Sequence, residues 1–351
     1  MPFNKPYVAG ISIALPKTRI HLMDLNFDKR RIERTIRLTG IENTCLAESD
    51  KTAADYDIAA AEHLLKNLGV FPDEIDGVLF VSGYPDYIQP ATAGVIQRQL
   101  GVQKNCVALD INHVCSGFIY GLLQGYMLIE TGMCKNVLLC MGDIAAARAI
   151  HAKDFGGRMV AGDSGAAVLI REKKDSDLLP TDFSFYHDGS GAEKLGILVG
   201  ANRYPKQPGI TDVEHTDENG NIRTNENWYM DGMAVMEFAM DCVPPKVDEV
   251  IRKCGWKKDE VDVFGMHQAN AFIVKKLIRQ MKISPDKTPI CVKNTGNLGP
   301  DSIPWALYQY SMMQDSSKWK KCILCGFGAG LSVGVAGIDL SKTKFIKHIE
   351  I

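Results

Sequence analysis

Three polar residues scattered along 351 positions, Cys115, His267 and Asn297, are of the types that acyl-transfer chemistry needs. Cys115 follows a short apolar run, 106–111, and precedes Ser116-Gly117-Phe118-Ile119-Tyr120, which opens a helix-forming stretch. A thiol at a helix N-terminus meets the positive end of the helix dipole, so this placement predicts a lowered pKa and a nucleophilic thiolate. His267 closes the apolar run 261–266 and starts His267-Gln268-Ala269-Asn270, a loop position from which an imidazole can enter a cleft. Asn297 lies in Asn294-Thr295-Gly296-Asn297-Leu298-Gly299-Pro300. Each also has an ordinary reading: most cysteines are small buried hydrophobes, most histidines are satisfied structural groups, and asparagine beside glycine forms turns.

Other signals weaken under the same scrutiny. Cys322-Ile323-Leu324-Cys325 has C-x-x-C spacing, but it lies inside an apolar run with no second pair, which argues against a zinc or redox site. Gly326-Phe327-Gly328-Ala329-Gly330 follows a strand as a nucleotide loop would. A second apolar run, 331–338, comes next, with no ribose-binding acid at the right distance. The pattern predicts a hairpin with close backbone approach, whose amides can supply half of an oxyanion hole. Gly162-Asp163-Ser164-Gly165 reads as a tight turn. His113 is near Cys115 in sequence, which does not by itself aim its ring.

The elements that must position these residues alternate short Val/Ile/Leu/Cys-rich runs with longer amphipathic stretches, an α/β pattern of buried strands covered by helices. Strands are expected at 77–81, 106–111, 137–141, 166–170, 261–266, 290–292, 321–325 and 331–338. Helices are expected at 53–68, 92–100, 116–131, 233–254, 271–280 and 302–313. A weak internal repeat links the halves at an offset of about 185 residues: Asn105-Cys106-Val107 recurs as Ile290-Cys291-Val292, Gln124 as Gln309, and Leu138-Leu139-Cys140 as Ile323-Leu324-Cys325. Asp73-Glu74-Ile75-Asp76 returns as Asp259-Glu260-Val261-Asp262, one residue out of step. The charged stretch 171–177 marks a join near Lys174, giving an N-terminal half, 1–174, with the cysteine and a C-terminal half, 175–351, with the histidine and asparagine. If the halves pack about a pseudo-twofold axis, the Cys115 and Asn297 turns face each other and His267 joins them. The stretch 207–228 reads as a long surface excursion.

The balance of 40 basic and 42 acidic side chains, without a basic stripe, argues against nucleic acid as a partner. No apolar run reaches the length of a membrane span, and the N-terminal residues lack the apolar core of a signal peptide. The expected location is the cytoplasm, where ten cysteines stay reduced and disulfides are rare.

On these residues the chain resembles the β-ketoacyl-acyl-carrier-protein synthase III family of the thiolase superfamily over nearly its whole length. The motifs come in family order: Leu38-Thr39-Gly40-Ile41, Asn112-His113-Val114-Cys115-Ser116-Gly117-Phe118, Gly162-Asp163-Ser164-Gly165-Ala166-Ala167 and His187-Asp188-Gly189-Ser190. His267-Gln268-Ala269-Asn270, Gly296-Asn297 with Ser302-Ile303-Pro304, and the glycines from Gly326 to Gly334 complete the set. The resemblance implies a thiolase-like five-layered α-β-α-β-α fold of two similar halves, a homodimer, an acyl carrier protein as partner, and no metal or redox cofactor. It also implies a cycle in which Cys115 is acylated by a coenzyme A or carrier-protein thioester. A malonyl thioester then loses carbon dioxide beside His267 and Asn297 and condenses with the acyl group. The backbone N–H groups of Cys115 and Ala329 would hold the oxyanion.

The recognition residues depart from the family pattern. Arg34 and Leu38 stand where a Trp and an Arg clasp the coenzyme A adenine, and Phe155 falls where a second adenine-side Arg belongs. Phe272 replaces an Arg that docks the carrier protein, and Gln89 takes the position that reaches across the dimer into the acyl pocket. These departures imply a specialised lipid or secondary-metabolite branch at least as readily as fatty-acid initiation. A cysteine-dependent thioester hydrolase and a non-catalytic partner subunit of a condensing enzyme remain the alternatives. The first predicts no duplication, and the second would more naturally lack one of the three polar residues.

Overall fold

In the computed structural model, which describes residues 2–173 and 177–351, the alternation of apolar runs and amphipathic stretches becomes two sheets and three helical layers. The first sheet contains β1 (Pro6–Leu15), β2 (Gly77–Val81), β3 (Val107–Ile111), β4 (Asn136–Asp143) and β5 (Ser164–Glu172), in the spatial order β1-β5-β4-β2-β3. The short C-terminal strands Lys344–Phe345 and Ile349–Glu350 pair with β1. The second sheet contains β6 (Asp182–His187), β7 (Val263–Met266), β8 (Cys322–Gly328) and β9 (Ser332–Ile338), in the order β7-β8-β9-β6. The strand directions repeat as well: β2 and β4 pair parallel as β7 and β8 do, and β4 and β5 pair antiparallel as β8 and β9 do. The expected boundary residue Lys174 lies outside the described residues.

Side-chain alternation builds the layers. Along β4, Val137, Leu139 and Met141 face the inner core, and Leu138 and Cys140 face α2 (Ala53–Leu68) and α3 (Thr92–Leu100). Along β8, Cys322 and Leu324 face the same inner core, while Ile323, Cys325 and Phe327 face α5 (Gly232–Lys253) and α6 (Ala271–Met281). The inner core also holds α4 (Gly117–Glu130) and α7 (Ser302–Ser311), so the order is helices, sheet, helices, sheet, helices. Both inner helices are apolar around much of their circumference, as a helix covered on two sides must be. Gly117, Gly121 and Gly125, spaced by four, let α4 lie close on the first sheet. A Cβ at these positions would come within 2.5 Å of Val81, 2.7 Å of Leu139 and 2.5 Å of Ile170, respectively. Cys322 and Cys325 fall on opposite faces of β8, which rules out a shared metal ion.

The internal repeat has a physical basis. Asp76 accepts hydrogen bonds from the backbone N–H groups of Lys135 and Asn136 at the start of β4, and Asp262 does the same for Lys320 and Lys321 at the start of β8. The symmetry fails at one expected strand. Residues 290–292, the counterpart of β3, join no ladder, because side chains take their backbone groups. The Cys291 N–H donates to Gln268 Oε1 at 3.0 Å, and the Cys291 carbonyl accepts from Trp305 Nε1 at 3.1 Å. Among the described residues no helix is long and apolar enough to cross a membrane.

Candidate active site

Cys115 sits on the turn between β3 and α4, two residues before the first helical position. The hairpin joining β8 to β9 reaches back onto it. Gly328, at φ 153°, makes this approach possible, since a Cβ there would lie 2.6 Å from Cys115 Cβ and 2.9 Å from Sγ. The backbone amides of Ala329 and of Cys115 itself lie near enough to the Cys115 sulfur to pull its pKa down. These are the two amides expected to form an oxyanion hole. The expected depression of the thiol pKa is not found: burial and, secondarily, the nearby Asp143 carboxylate push it up to about 12, against the opposing pull of the two amides. The side chain opens to a cavity, but protein surrounds the rest of it, and desolvation outweighs the helix terminus.

Asn297 arrives from the other half. Its backbone N–H donates to the Val160 carbonyl at 2.8 Å, and its carbonyl accepts from the Gly162 N–H at 2.9 Å, which stitches the two halves together beside the site. Its side-chain Oδ1 accepts the Gly299 N–H at 3.0 Å, so the amide nitrogen is left for a ligand. His267 lies buried at the end of β7, with Nδ1 2.7 Å from Ser302 Oγ and its ring edge-on to Phe327. Ser302 Oγ also accepts the Gln268 N–H at 3.3 Å, and donation of its own proton to His267 Nδ1 would leave Nε2 as the N–H donor. Burial lowers the His267 pKa to about 3, against a hydrogen bond with the Gly299 backbone, so the ring is neutral at ordinary pH. The rest of the motif is structural: Gln268 ties β7 to Cys291 and Pro289, and Asn270 caps α6 by accepting the Ile273 N–H at 2.9 Å.

One cavity of about 350 Å³ is lined by Cys115, Asn297 and Ala329, together with Tyr84, Asp143 and Trp228. His267 stands just behind its wall, next to Gly299, which lines it. The five expected recognition residues lie elsewhere. Arg34 and Leu38 are exposed on one face of α1 (Lys29–Thr39), Gln89 is exposed on the loop before α3, and Phe272 is half-buried beneath Lys276. Phe155 is not at the surface, being buried against Phe27 with the Arg31 guanidinium 3.8 Å above its ring. Gly162-Asp163-Ser164-Gly165 is more than a turn. Ser164 begins β5, and Asp163 accepts backbone N–H bonds from Ala47, Ala146 and Ala147.

A profile of the 3-oxoacyl-[acyl-carrier-protein] synthase III family matches residues 109–189, and one of the family's C-terminal part matches 251–340. A β-ketoacyl-[acyl-carrier-protein] synthase III of Rhodopirellula baltica is 30% identical over 346 residues, covering 94% of this chain and 96% of that protein. The chain belongs to the β-ketoacyl-[acyl-carrier-protein] synthase III family. It is an acyl-transferring condensing enzyme with the thiolase fold. A crystal structure of a 3-oxoacyl-(acyl-carrier-protein) synthase III is 31% identical with a TM-score of 0.89, covering 95% of this chain and 99% of that one. That of a 3-oxoacyl-(acyl-carrier protein) synthase from Burkholderia xenovorans is 27% identical with a TM-score of 0.91, covering 100% and 98%.

Within this β-ketoacyl-[acyl-carrier-protein] synthase III family member, sequence reasoning missed Asp143 and Trp228, and it placed Ser302 in a family motif without its contact to His267 Nδ1. Asp143 had a signal, a carboxylate ending the apolar strand Leu138-Leu139-Cys140-Met141-Gly142. Trp228 had none: it ends the long excursion and is held by a hydrogen bond from its N–H to the Ala149 carbonyl at 3.0 Å. Asp143 Oδ1 accepts from Ser82 Oγ at 3.1 Å and the Gly83 N–H at 3.2 Å, yet burial raises its pKa to about 8, and burial raises that of Asp163 to about 7. A raised carboxyl pKa means that the folded state holds the proton when the unfolded state has lost it. That contribution to stability is full below the unfolded pKa and disappears as pH rises through the folded one. Thermal unfolding should therefore show Asp143 costing on the order of 2 kcal/mol of stability between about pH 6 and about pH 8. Asp143→Asn keeps the Oδ1 acceptor and cannot ionise, so it should flatten that decline. An unchanged slope would mean that Asp143 is already charged at neutral pH.

Proposed function

We propose that Cys115 takes an acyl group from a thioester donor and that a malonyl thioester then undergoes decarboxylative condensation with it, releasing a β-ketoacyl thioester. The observation that carries this reading is the convergence of the Ala329 N–H on the Cys115 sulfur in the cavity that also contains Asn297. The sulfur attacks the donor carbonyl, the donor C–S bond breaks, and the departing thiolate takes the thiol proton. The two amides around the sulfur lie where the oxyanion of each tetrahedral state forms. Loss of carbon dioxide from the malonyl group leaves its electron pair in an enolate, whose oxygen accepts hydrogen bonds from His267 Nε2 and Asn297 Nδ2. The enolate carbon attacks the acyl-cysteine and expels the sulfur, whose thiolate takes a proton from water to restore the thiol, so the cycle balances without a metal or redox cofactor.

An acyl carrier protein is the expected bearer of the malonyl group, as the relatives' names indicate for those proteins. Arg34 and Arg37 on α1, with Lys275 and Arg279 on α6, offer exposed positive charge to an acidic carrier. A homodimer joined along β3 fits the exposure of Ala108 and Leu109 at the free edge of an otherwise well-covered sheet. The cytoplasm suits the reduced thiol that this reading requires. Exposed Arg34 and Leu38 offer no aromatic surface to an adenine, so acetyl-coenzyme A should label Cys115 poorly beside a longer or functionalised acyl thioester. Incubation with radiolabelled acyl thioesters and malonyl carrier protein tests the whole reading. A labelled β-ketoacyl product supports it, whereas free acid alone points to a hydrolase and no turnover to a partner subunit.

A further inference from the structure

The mechanism leaves a group of polar side chains beside Cys115 unused. His113 lines the same cavity, with its ring stacked on Tyr120 at 4.0 Å between centroids and edge-on to His187 at 6.2 Å. Its Nδ1 lies 3.3 Å from Ser116 Oγ, Ser116 Oγ lies 2.7 Å from Ser332 Oγ, and Ser332 Oγ lies 2.7 Å from the Ala329 carbonyl oxygen.

Only one arrangement of protons satisfies all three contacts. A carbonyl oxygen can only accept, so the Ser332 hydroxyl donates to Ala329. Ser332 Oγ then accepts the Ser116 hydroxyl proton, and Ser116 Oγ must accept from His113 Nδ1–H. In a neutral imidazole with Nδ1 protonated, Nε2 carries a lone pair. Burial, reinforced by His187, lowers the His113 pKa and keeps the ring neutral. Among the described residues Nε2 has no protein partner, and it is not one of the buried unpaired atoms. A hydrogen-bond acceptor of fixed identity therefore borders the cavity in which the acyl group is attached. His187 extends this polar wall to the hairpin, since a Cβ at Gly330 would lie 3.0 Å from its Cε1.

Resting on the condensing-enzyme reading above, we infer that His113 is a specificity-determining residue whose Nε2 accepts a hydrogen bond from a hydroxyl group on the acyl chain bound to Cys115. Ser116 and Ser332 are positioning residues that fix its tautomer. An unsubstituted chain leaves the lone pair unpaired, and a keto group at the same carbon sets acceptor against acceptor. The pantetheine arm of a thioester donor also carries a hydroxyl, so the test must separate the two sources.

The experiment follows acylation of Cys115 by intact mass, using chain-matched unsubstituted, hydroxy and keto acyl groups on a simple alkyl thiol that lacks the pantetheine hydroxyl. The hydroxyacyl donor should react on the order of tenfold faster than the other two, the worth of one well-placed hydrogen bond. His113→Phe should abolish that preference. Ser332→Ala leaves the cavity wall in place but frees the Ser116 proton to turn toward Nδ1, so it should bring the hydroxy and keto rates together. Equal rates for all three donors in the unaltered protein would overturn the inference while leaving the acyl-enzyme reading intact. A hydroxyl preference untouched by both variants would overturn it too, as would a His113 effect that appears only when the same acyl groups are presented on pantetheine in a parallel series. Failure of every donor to acylate Cys115 would instead remove the reading on which the inference rests.

Discussion

Cys115→Ala is expected to remove the covalent acyl adduct completely while the fold persists. The side chain lies on a turn and opens to the cavity, so shortening it leaves the inner core around α4 untouched. No other thiol can take over. Cys140, Cys322 and Cys325 are buried within the sheets, and Cys106 and Cys291 do not line the cavity. Cys115 is in other respects an unpromising thiolate, with its pKa pushed up to about 12, so its reactivity must come from position. In the proposed cycle the amides of Ala329 and Cys115 would stabilise negative charge as it develops, first on sulfur and then on the attacked oxygen. Intact-mass measurement after exposure to a panel of acyl thioesters checks this, and the adduct also reports which acyl group is preferred. An undiminished adduct on the variant would falsify the assignment.

His267→Ala and Asn297→Ala should split the two half-reactions. Acylation of Cys115 should continue, because the hydrogen bonds of these side chains run to Ser302 and Gly299 rather than to the sulfur. Decarboxylative condensation should fall by on the order of a hundredfold or more in each variant, the usual consequence of removing one preorganised donor to an oxyanion. His267, with a pKa of about 3, is neutral and acts as a hydrogen-bond donor, so the condensation rate should show no titration of this ring between about pH 5 and about pH 8. Its burial also gives a stability signature opposite to that of Asp143. The unfolded chain binds a proton that the folded ring refuses, so His267 weakens the fold as pH drops from about 6.5 toward about 3. Single-turnover measurement with preacylated protein and a labelled malonyl thioester isolates condensation. Slight and equal losses in both half-reactions would make the two residues structural.

Much of the fold was legible because apolar periodicity and end signals are local. The helices Ala53–Leu68 and Thr92–Leu100 and the strand Gly77–Val81 have the bounds their sequences suggest, with glycine following both helices in a left-handed conformation. The strand Pro6–Leu15 was missed because both of its faces are covered and it shows no alternation. Residues 290–292 look like a strand, but side chains from Gln268 and Trp305 claim their backbone groups, and such long-range competition has no local signature.

The sequence by itself singled out Cys115, His267 and Asn297 as candidates from residue type and position, and it predicted the hairpin near Cys115 and the duplication of the halves, whereas the layered two-sheet plan came from the family resemblance. Only the tertiary structure decided their electrical states. Whether Cys115 is a poised thiolate or a desolvated thiol depends on how many protein atoms surround it and on Asp143, brought from the end of another strand. Whether His113 offers a lone pair or a proton depends on Ser332, 216 residues beyond Ser116 in the chain. Desolvation and hydrogen-bond direction are set by neighbours distant in sequence, and the packing of two sheets against α4 and α7 is what makes them neighbours.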